Sequence, residues 1–188
     1  MVSQLIFGKG ILKFCGIDLA VKRPSAVGIL EGDIVCVKEL ISNDEIYEEC
    51  KNSLVVSIDS PLTYSNGFRN VDREMIRRGY KVLPPSWMKS LVERAITLKN
   101  MFKTTVIETH PTSSMKNISL NWKSLANKKD IVDAVLCSLV SLYYYIGKAE
   151  EISSIDGKIY ILPKEKISIT KIGNNCFKIS SQSLQVAF

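Results

Sequence analysis

The amino-acid sequence predicts an α/β fold in which helices pack on both faces of one mixed β-sheet. Three apolar runs separated by short turns come first, and the chain then alternates between helical and strand patterns. Strands joined by short turns pair antiparallel, whereas strands separated by helices run parallel, so both kinds of pairing are expected in one sheet. A chain of 188 residues, 46% of them hydrophobic, suits a single compact domain.

The first half of the predicted sheet comes from four apolar segments. Residues 11–20, 25–30 and 34–40 each read as a strand, and the sequence EGD between the second and third is a typical hairpin turn. Residues 43–52 are polar and acidic with helical spacing, and 54–58 (LVVSI) form the fourth strand. The residues before 11 are expected to be dispensable.

The second half alternates helices with strands. In order, the predicted elements are a basic helix within 69–78, a helix over 87–100 that starts after Pro-Pro-Ser and is anchored by Trp87, a strand over 104–108, a long helix over 130–148 and a strand over 156–163. These elements complete a main domain of residues 1–163. Residues 164–188 form a C-terminal extension, with a hairpin around the sequence GNN that packs on the same domain.

Cysteine usage and the N-terminal sequence indicate a cytoplasmic protein. The five cysteines form no C-x-x-C pair and most have apolar neighbours, which favours reduced, buried thiols. The N-terminal sequence lacks a basic leader, a long apolar run and a small-residue cleavage site, so secretion is not expected. A single histidine argues against a zinc site.

The longest apolar stretch, residues 131–147, predicts a core helix, because it is short for a membrane span and contains Asp133. No membrane association is therefore expected. The formal net charge of +6 is compatible with a polyanionic partner such as nucleic acid, although many basic proteins bind none.

Three predicted strands each end in a carboxylate. The runs KFCGID, VVSID and TVIE stop at Asp18, Asp59 and Glu108. Any one of these acids alone reads more simply as a turn or cap residue. Together they would gather at one edge of a sheet if the strands were parallel neighbours, and like charges brought close destabilise a fold. The pattern therefore predicts a functional cluster.

The long helix adds two more acids to this cluster. Asp130 and Asp133 are three residues apart and share a helix face, opposite an apolar stripe that would pack on the sheet. Asp130 has a simpler interpretation, since an acid in the first helical turn gains about 0.3–1 kcal/mol from the helix dipole. Asp133 lies a turn further in among apolar residues, which favours a functional role.

Converging carboxylates require a compensating cation, and Mg²⁺ or Mn²⁺ fits best because both prefer oxygen ligands. Two such ions about 3.5–4 Å apart catalyse in-line displacement at phosphorus. The predicted metal ligands are Asp18, Asp59, Glu108 and Asp133, and the predicted catalytic set adds Asp130.

Basic residues beside the cluster are candidates for phosphate binding. Arg69, Arg73 and Arg77 are spaced four apart and line one face of the predicted basic helix, where they would contact phosphate or simply be solvated. Lys129 precedes the helix acids and is either a phosphate ligand or a loop residue. His110 is a candidate proton shuttle, and a structural role is the simpler alternative.

Five motifs support a family resemblance. GIDLA, SIDSPL, IETHP, KKDIVDAVLCSL and DGKIYILP, in this order over roughly residues 14–163, resemble an uncharacterised family described as predicted nucleases of ribonuclease H-like fold. That superfamily includes Holliday-junction resolvases. The resemblance implies a ribonuclease H-like sheet of three antiparallel strands followed by parallel strands. It implies two-metal hydrolysis of DNA or RNA by the five acids, and it leaves a homodimer open because resolvases work as pairs.

Two other functions remain open. Sugar kinases and actin-like ATPases share the same core, but they place glycines after the first strand Asp, and here the next glycine after Asp18 is Gly28. A non-catalytic nucleic-acid-binding protein is the third possibility. The retained acids argue against it, since an inactive site has no need to keep them.

Overall fold

The computed structural model describes residues 11–187, so the stretch predicted to be dispensable lies outside the described residues. The strands are β1 (Lys13–Asp18), β2 (Ser25–Glu31), β3 (Ile34–Leu40), β4 (Val55–Ile58), β5 (Thr105–Thr109), β6 (Glu150–Ser154), β7 (Gly157–Ile161), β8 (Ile167–Gly173) and β9 (Cys176–Ser181). The helices are α1 (Asn43–Cys50), α2 (Asn70–Arg77), α3 (Lys89–Met101), α4 (Pro111–Asn117), α5 (Lys129–Tyr145) and α6 (Gln182–Ala187).

The nine strands form one mixed sheet in the order β6-β7-β5-β4-β1-β2-β3-β9-β8. The four central strands β7, β5, β4 and β1 are parallel to one another, and antiparallel strands extend the sheet on both sides. This arrangement confirms the predicted α/β class with a mixed sheet. The C-terminal hairpin of β8 and β9 joins the sheet through β3.

Helix α5 covers one face of the sheet and runs antiparallel to β1. Tyr145, the last residue of α5, lies against Phe14 near the start of β1, with 5.4 Å between the ring centroids. Further along, the helix backbone at Ser138 lies so close to Gly16 that a Cβ there would be 1.9 Å from the Ser138 nitrogen. The first turn of α5 therefore lies at the carboxyl end of β1.

Almost all of α5 is buried, as predicted for a core helix. Its 17 residues include an unbroken buried run from Ile131 to Tyr143. Tyr143 pairs with Ser181 of β9 at 2.7 Å between the hydroxyl oxygens, so the C-terminal hairpin contributes to this burial. Within the described range 11–187, no helix has the length and apolar character needed to span a bilayer.

Helices α1, α2 and α3 cover the opposite face. Strand residues Ile17, Val56 and Ile58 pack there with Ile46 of α1 and Leu98 of α3. Helix α2 packs over β6 and β7, where a separate cluster is formed by Val71, Met75, Tyr80, Ile152, Ile159 and Ile161. The two layers of helices fix the ends of the central strands, where the predicted site lies.

Four of the five cysteines are paired, so the expectation of reduced thiols was wrong for those four. Cys15 of β1 is disulfide-bonded to Cys50 of α1, and Cys36 to Cys176. Cys36 and Cys176 are directly opposite each other on β3 and β9, a long-range pairing that sequence spacing does not reveal. Cys137 is free and buried. The predicted cytoplasmic location thus loses the cysteine observation that supported it.

Candidate active site

Three aspartates meet at the carboxyl ends of the central parallel strands. Asp18 is the last residue of β1, and Asp59 follows β4, where its backbone nitrogen donates to the carbonyl of Ile17 at 2.9 Å. Asp133 approaches from the second turn of α5. Because side chains alternate between the two faces of a strand, Asp18 and Asp59 both belong to the face that α5 covers. We call these three side chains the aspartate cluster.

The aspartate cluster contains two buried carboxylate oxygens without a hydrogen-bond partner. They are Oδ2 of Asp18 and Oδ1 of Asp133, and each side chain belongs to a residue only 6% exposed. Buried polar atoms are nearly always paired, because an unpaired one costs about 1–3 kcal/mol and a charged one more. A bound cation would satisfy both of these oxygens.

The pKa values of the three aspartates are raised, as expected for negative charges that lack compensating partners. Burial, together with the neighbouring charges of Asp133 and Asp130, raises the pKa of Asp18 to about 7. Burial, followed by the charges of Asp18 and Asp133, raises the pKa of Asp59 well above its ordinary value. Burial also raises the pKa of Asp133, although Lys129 opposes the shift. The negative charge is therefore incompletely compensated.

Two basic side chains of the chain itself supply part of the compensation. Lys129 donates from Nζ to Asp133 Oδ2 at 2.5 Å and to the hydroxyl of Thr112 at 3.2 Å. Arg23 donates to Asp130 and lies 3.8 Å from Asp18 Oδ2. Among residues 11–187, no three His, Cys, Asp or Glu side chains are arranged so as to hold a metal ion as they stand. Lys129 already engages one oxygen that such an arrangement needs.

Glu108 is not part of the aspartate cluster, although it also lies near the end of a strand. In the sheet register Glu108 is opposite Ile58, one position before Asp59. Successive residues point to opposite faces, so Glu108 projects toward α2 and α3 while Asp59 projects toward α5. A one-residue offset therefore separates the predicted fourth ligand from the other three.

Arg69 holds Glu108 in a buried ion-pair network. Its guanidinium donates to both Glu108 oxygens, at 2.5 and 2.8 Å, and to Asp72 at 2.7 Å. The backbone nitrogen of Leu62 also donates to Glu108 at 2.9 Å. Arg69 is 3% exposed, so it does not share an exposed helix face with Arg73 and Arg77 as predicted, although it lines the cleft described below. The four-residue spacing breaks down because Arg69 precedes the first turn of α2.

The other predicted binding residues lie in three different settings. Arg73 is exposed on α2, and Arg77 is exposed but paired with Glu74 at 2.8 Å. His110 precedes α4, and its Nδ1 lies 2.7 Å from the hydroxyl of Ser113. Burial, with a contribution from a nearby lysine, lowers the pKa of His110 to about 4. His110 is thus uncharged at neutral pH.

A cleft of about 290 Å³ opens beside the cluster. Its lining includes Asp18, Asp59, Arg23, Glu108 and His110 on one side. The segment between α2 and α3 contributes Lys81, Val82, Leu83 and Met88 to the lining, and α3 contributes Leu91. Asp18 and Asp59 are therefore accessible from outside through this cleft, whereas Asp133 does not line it.

Sequence reasoning missed three charged residues that shape this region. Arg23 faces the cluster, Asp72 completes the Arg69 network, and Asp156 accepts from the first two backbone nitrogens of α2 at 2.5 and 3.0 Å. Asp156 begins the DGKIYILP motif, so that motif had already marked it. Arg23 was detectable only as a cation five residues after Asp18.

Comparisons of the chain with protein-family models, with curated proteins and with solved structures found no match. What the site can do must therefore be argued from its own residues.

Proposed function

We propose that this protein is a divalent-metal-dependent nuclease that hydrolyses phosphodiester bonds of nucleic acid. The observation that carries the proposal is the convergence of Asp18, Asp59 and Asp133 with two buried oxygens left without partners. A purely structural cluster of this kind would only destabilise the fold. Open α/β sheets bind their ligands at the carboxyl ends of parallel strands, which is where the cluster lies.

The donor chemistry of the three aspartates suits Mg²⁺ or Mn²⁺, and binding would require Lys129 to release Asp133, because the described side chains as they stand do not form a metal site. The donors are carboxylate oxygens without His or Cys, which is the set that these ions prefer. Asp18, Asp59 and Asp133 would hold the metal, and Asp130 lies at the outer edge of the cluster beside Arg23. When bound, such ions activate a water molecule and stabilise the leaving oxygen of a phosphodiester.

The chain's own residues position the reaction. The backbone nitrogen of Asp59 donates a hydrogen bond to the carbonyl of Ile17, which directly precedes Asp18. This hydrogen bond between neighbouring strands fixes the two aspartates relative to each other. Lys129 and Arg23 lie beside the acids, where they balance charge in the metal-free protein and where phosphate oxygens of a substrate would also attract them. The proton-shuttle role of His110 stays a prediction.

The fold part of the proposal is a ribonuclease H-like core. Strands β1, β2 and β3 pair antiparallel, and β4 and β5 continue from β1 in parallel, which is the arrangement that the five-motif resemblance implies. The strands β6 to β9 extend this core at both edges. They explain why the sheet is wider than the resemblance leads one to expect.

The test is cleavage by the purified full-length protein. Single-stranded DNA, duplex DNA, RNA and a four-way junction are incubated with Mg²⁺, with Mn²⁺ or with chelator. We expect cleavage of at least one substrate with metal only, and a loss of at least about 100-fold in Asp18→Asn, because a metal ligand is removed. Asp44→Asn, which removes an exposed carboxylate of α1, is the matched control and should retain full activity.

Two results would count against this function. One is cleavage that persists in chelator or in Asp18→Asn, which would mean that another site or a contaminant is responsible. The other is the absence of cleavage of all four substrates with either metal. Circular dichroism and a thermal melt of each variant show whether it is folded, so that loss of activity is not mistaken for loss of structure.

A further inference from the structure

A strongly exposed aromatic side chain lies next in the chain to a residue that lines the cleft. Trp87 is 75% exposed, although its position at the start of a helix predicted an anchor packed on the protein. Leu83, four residues earlier in the chain, is 55% exposed, and Phe68, on the loop before α2, is 37% exposed. A tryptophan of such exposure forgoes much of the burial energy that its large ring offers.

Trp87 sits on a rigid turn. It belongs to a short 3-10 turn, Pro85–Met88, in which Pro85 is buried and the Trp87 nitrogen donates to the carbonyl of Pro84 at 3.0 Å. The hydroxyl of Ser86 accepts from the Gly67 nitrogen at 3.2 Å, which ties this turn to the loop that precedes α2. The residues around the indole are thus fixed while the indole itself faces solvent.

The turn contributes a residue to the lining of the cleft that contains Asp18 and Asp59. Met88 and Leu83, on either side of Trp87 in the chain, both line the cleft. Phe68 follows Gly67 on the loop bonded to the turn. We call Phe68, Leu83 and Trp87 the apolar rim. A polymer whose backbone reached the aspartates would therefore pass beside the apolar rim.

Two basic side chains with exposed surface line the cleft beside this rim. Lys81 is exposed and lines the cleft, and among the described residues it forms no ion pair. Arg23 lines the same cleft with a half-exposed side chain. Over the whole chain, basic residues exceed acidic ones to give a net charge of +6. Cations beside an exposed aromatic ring are the combination that binds single-stranded nucleic acid, where the cations track phosphates and the ring stacks on a base.

We propose that the apolar rim is a stacking platform for unpaired bases, so that the substrate of the proposed nuclease is single-stranded nucleic acid or a single-stranded end or loop. This inference rests on the proposed function for its account of what happens to the strand, but the binding itself does not require metal. Bases in a duplex present only their edges to a protein, because their faces are stacked on one another. An exposed indole therefore discriminates in favour of unpaired bases.

The experiment uses the two tryptophans as separate reporters. Trp122 packs against the core around α5 and lies on another turn, so Trp122→Phe leaves Trp87 as the only tryptophan, and Trp87→Phe leaves Trp122. Each full-length variant is titrated in chelator with a 12-nucleotide oligothymidylate and, separately, with a 12-base-pair duplex. We expect the single strand to quench the emission of Trp87 and to leave that of Trp122 unchanged.

Affinity is measured in parallel by anisotropy of the labelled oligonucleotides. Trp87→Ala is expected to weaken single-strand binding about 5- to 150-fold, the range for losing one base–aromatic stack, and to change duplex binding by less than about 2-fold. Trp87→Phe, which keeps a ring, should retain most of the affinity. Ile172→Ala removes an apolar side chain that is 51% exposed on the edge strand β8, away from the cleft, and should have no effect.

Several outcomes would overturn the platform: equal quenching of both tryptophans, unchanged single-strand affinity in Trp87→Ala, or equal losses for single strand and duplex. Dimerisation that Trp87→Ala abolishes, with no effect on oligonucleotide binding, would assign the rim to a second copy of the chain instead. Trp87-dependent binding without metal-dependent cleavage would support the platform and refute the nuclease. Metal-dependent cleavage that is unaffected by Trp87→Ala on every substrate would support the nuclease and refute the platform.

Discussion

Replacing Asp18 with asparagine is expected to stabilise the metal-free protein while removing its proposed activity. Burial, followed by the charges of Asp133 and Asp130, raises the pKa of Asp18 from 3.8 to about 7. Above pH 7 the folded protein therefore contains Asp18 as a carboxylate, although the surroundings of this side chain favour its protonated form. A shift of about three pH units is worth about 4 kcal/mol, since each unit corresponds to about 1.4 kcal/mol.

The pH dependence has a definite sign. Below about pH 4 the Asp18 carboxyl is protonated in both states and contributes nothing. Between pH 4 and 7 the folded state keeps a proton that the unfolded state has released, so the free energy of unfolding falls as the pH rises. Asparagine does not titrate. The stability advantage of Asp18→Asn should therefore grow from pH 4 to pH 7 and stay constant above it.

Urea denaturation of the full chain, in chelator and without reductant, measures this advantage at pH 5, 6, 7 and 8. Asp44→Asn, on the exposed side of α1, is the control and should stay within about 0.5 kcal/mol of the wild type at every pH. Adding Mg²⁺ should then stabilise the wild type, by about 2.7 kcal/mol at 100 times its dissociation constant, and should leave Asp18→Asn largely unchanged.

A difference in unfolding free energy between Asp18→Asn and wild type that does not vary with pH would refute this reasoning. A group that binds a proton more tightly in the folded state must give a difference that changes with pH. A variant less stable than wild type at pH 8 would also refute it. The first result would mean that Asp18 is already compensated in the metal-free protein, and the second that its carboxylate makes a favourable contact.

Two further substitutions test the packing and the buried network by the same urea denaturation. Gly16→Ala should lower the free energy of unfolding by about 3 kcal/mol or more, because a Cβ would lie 1.9 Å from the Ser138 nitrogen. Gly173→Ala is the control and should cost little, because its Cβ would meet its nearest atom at 3.9 Å. Equal losses of stability in the two variants would contradict the close packing of α5 on β1. Arg69→Met should lower the free energy of unfolding by about 3–5 kcal/mol, because it leaves buried carboxylates without their counter-ion. Arg73→Met, on the exposed side of α2, is the control and should cost less than about 0.5 kcal/mol. A loss below about 1 kcal/mol for Arg69→Met would show that the ion-pair network is dispensable for stability.

The sequence predicted the α/β class because its signals are local. Apolar runs of strand length, a turn such as EGD and the long apolar helix are each readable within a window of a few residues. β6 was missed because its sequence, EEISS, is polar at an edge of the sheet where only Ile152 is fully buried. α4 was missed because a proline soon after a strand is also typical of a loop, although Pro111 here occupies the first turn of a helix.

The composition of the site was less predictable, because it depends on register. Asp18 and Asp59 could be placed at neighbouring strand ends from the pattern alone. The pattern does not say whether Glu108 aligns with Asp59 or with Ile58, and that one-residue difference decides which face receives the carboxylate. The partner of Arg69 was hidden for the same reason, since a contact between residues 39 positions apart leaves no local signal.

The close packing of α5 explains why the fold cannot relieve the charge repulsion at its own site. A Cβ atom added at Gly16 or at Gly28 would collide with the α5 backbone. The helix and the sheet are therefore in direct backbone contact at these two glycines. Moving α5 outward would separate Asp133 from Asp18, but it would also open gaps beneath a helix with 13 consecutive buried residues. The apolar core therefore forces the acids together. A cation, or in its absence Lys129 and bound protons, is the remaining way to neutralise them.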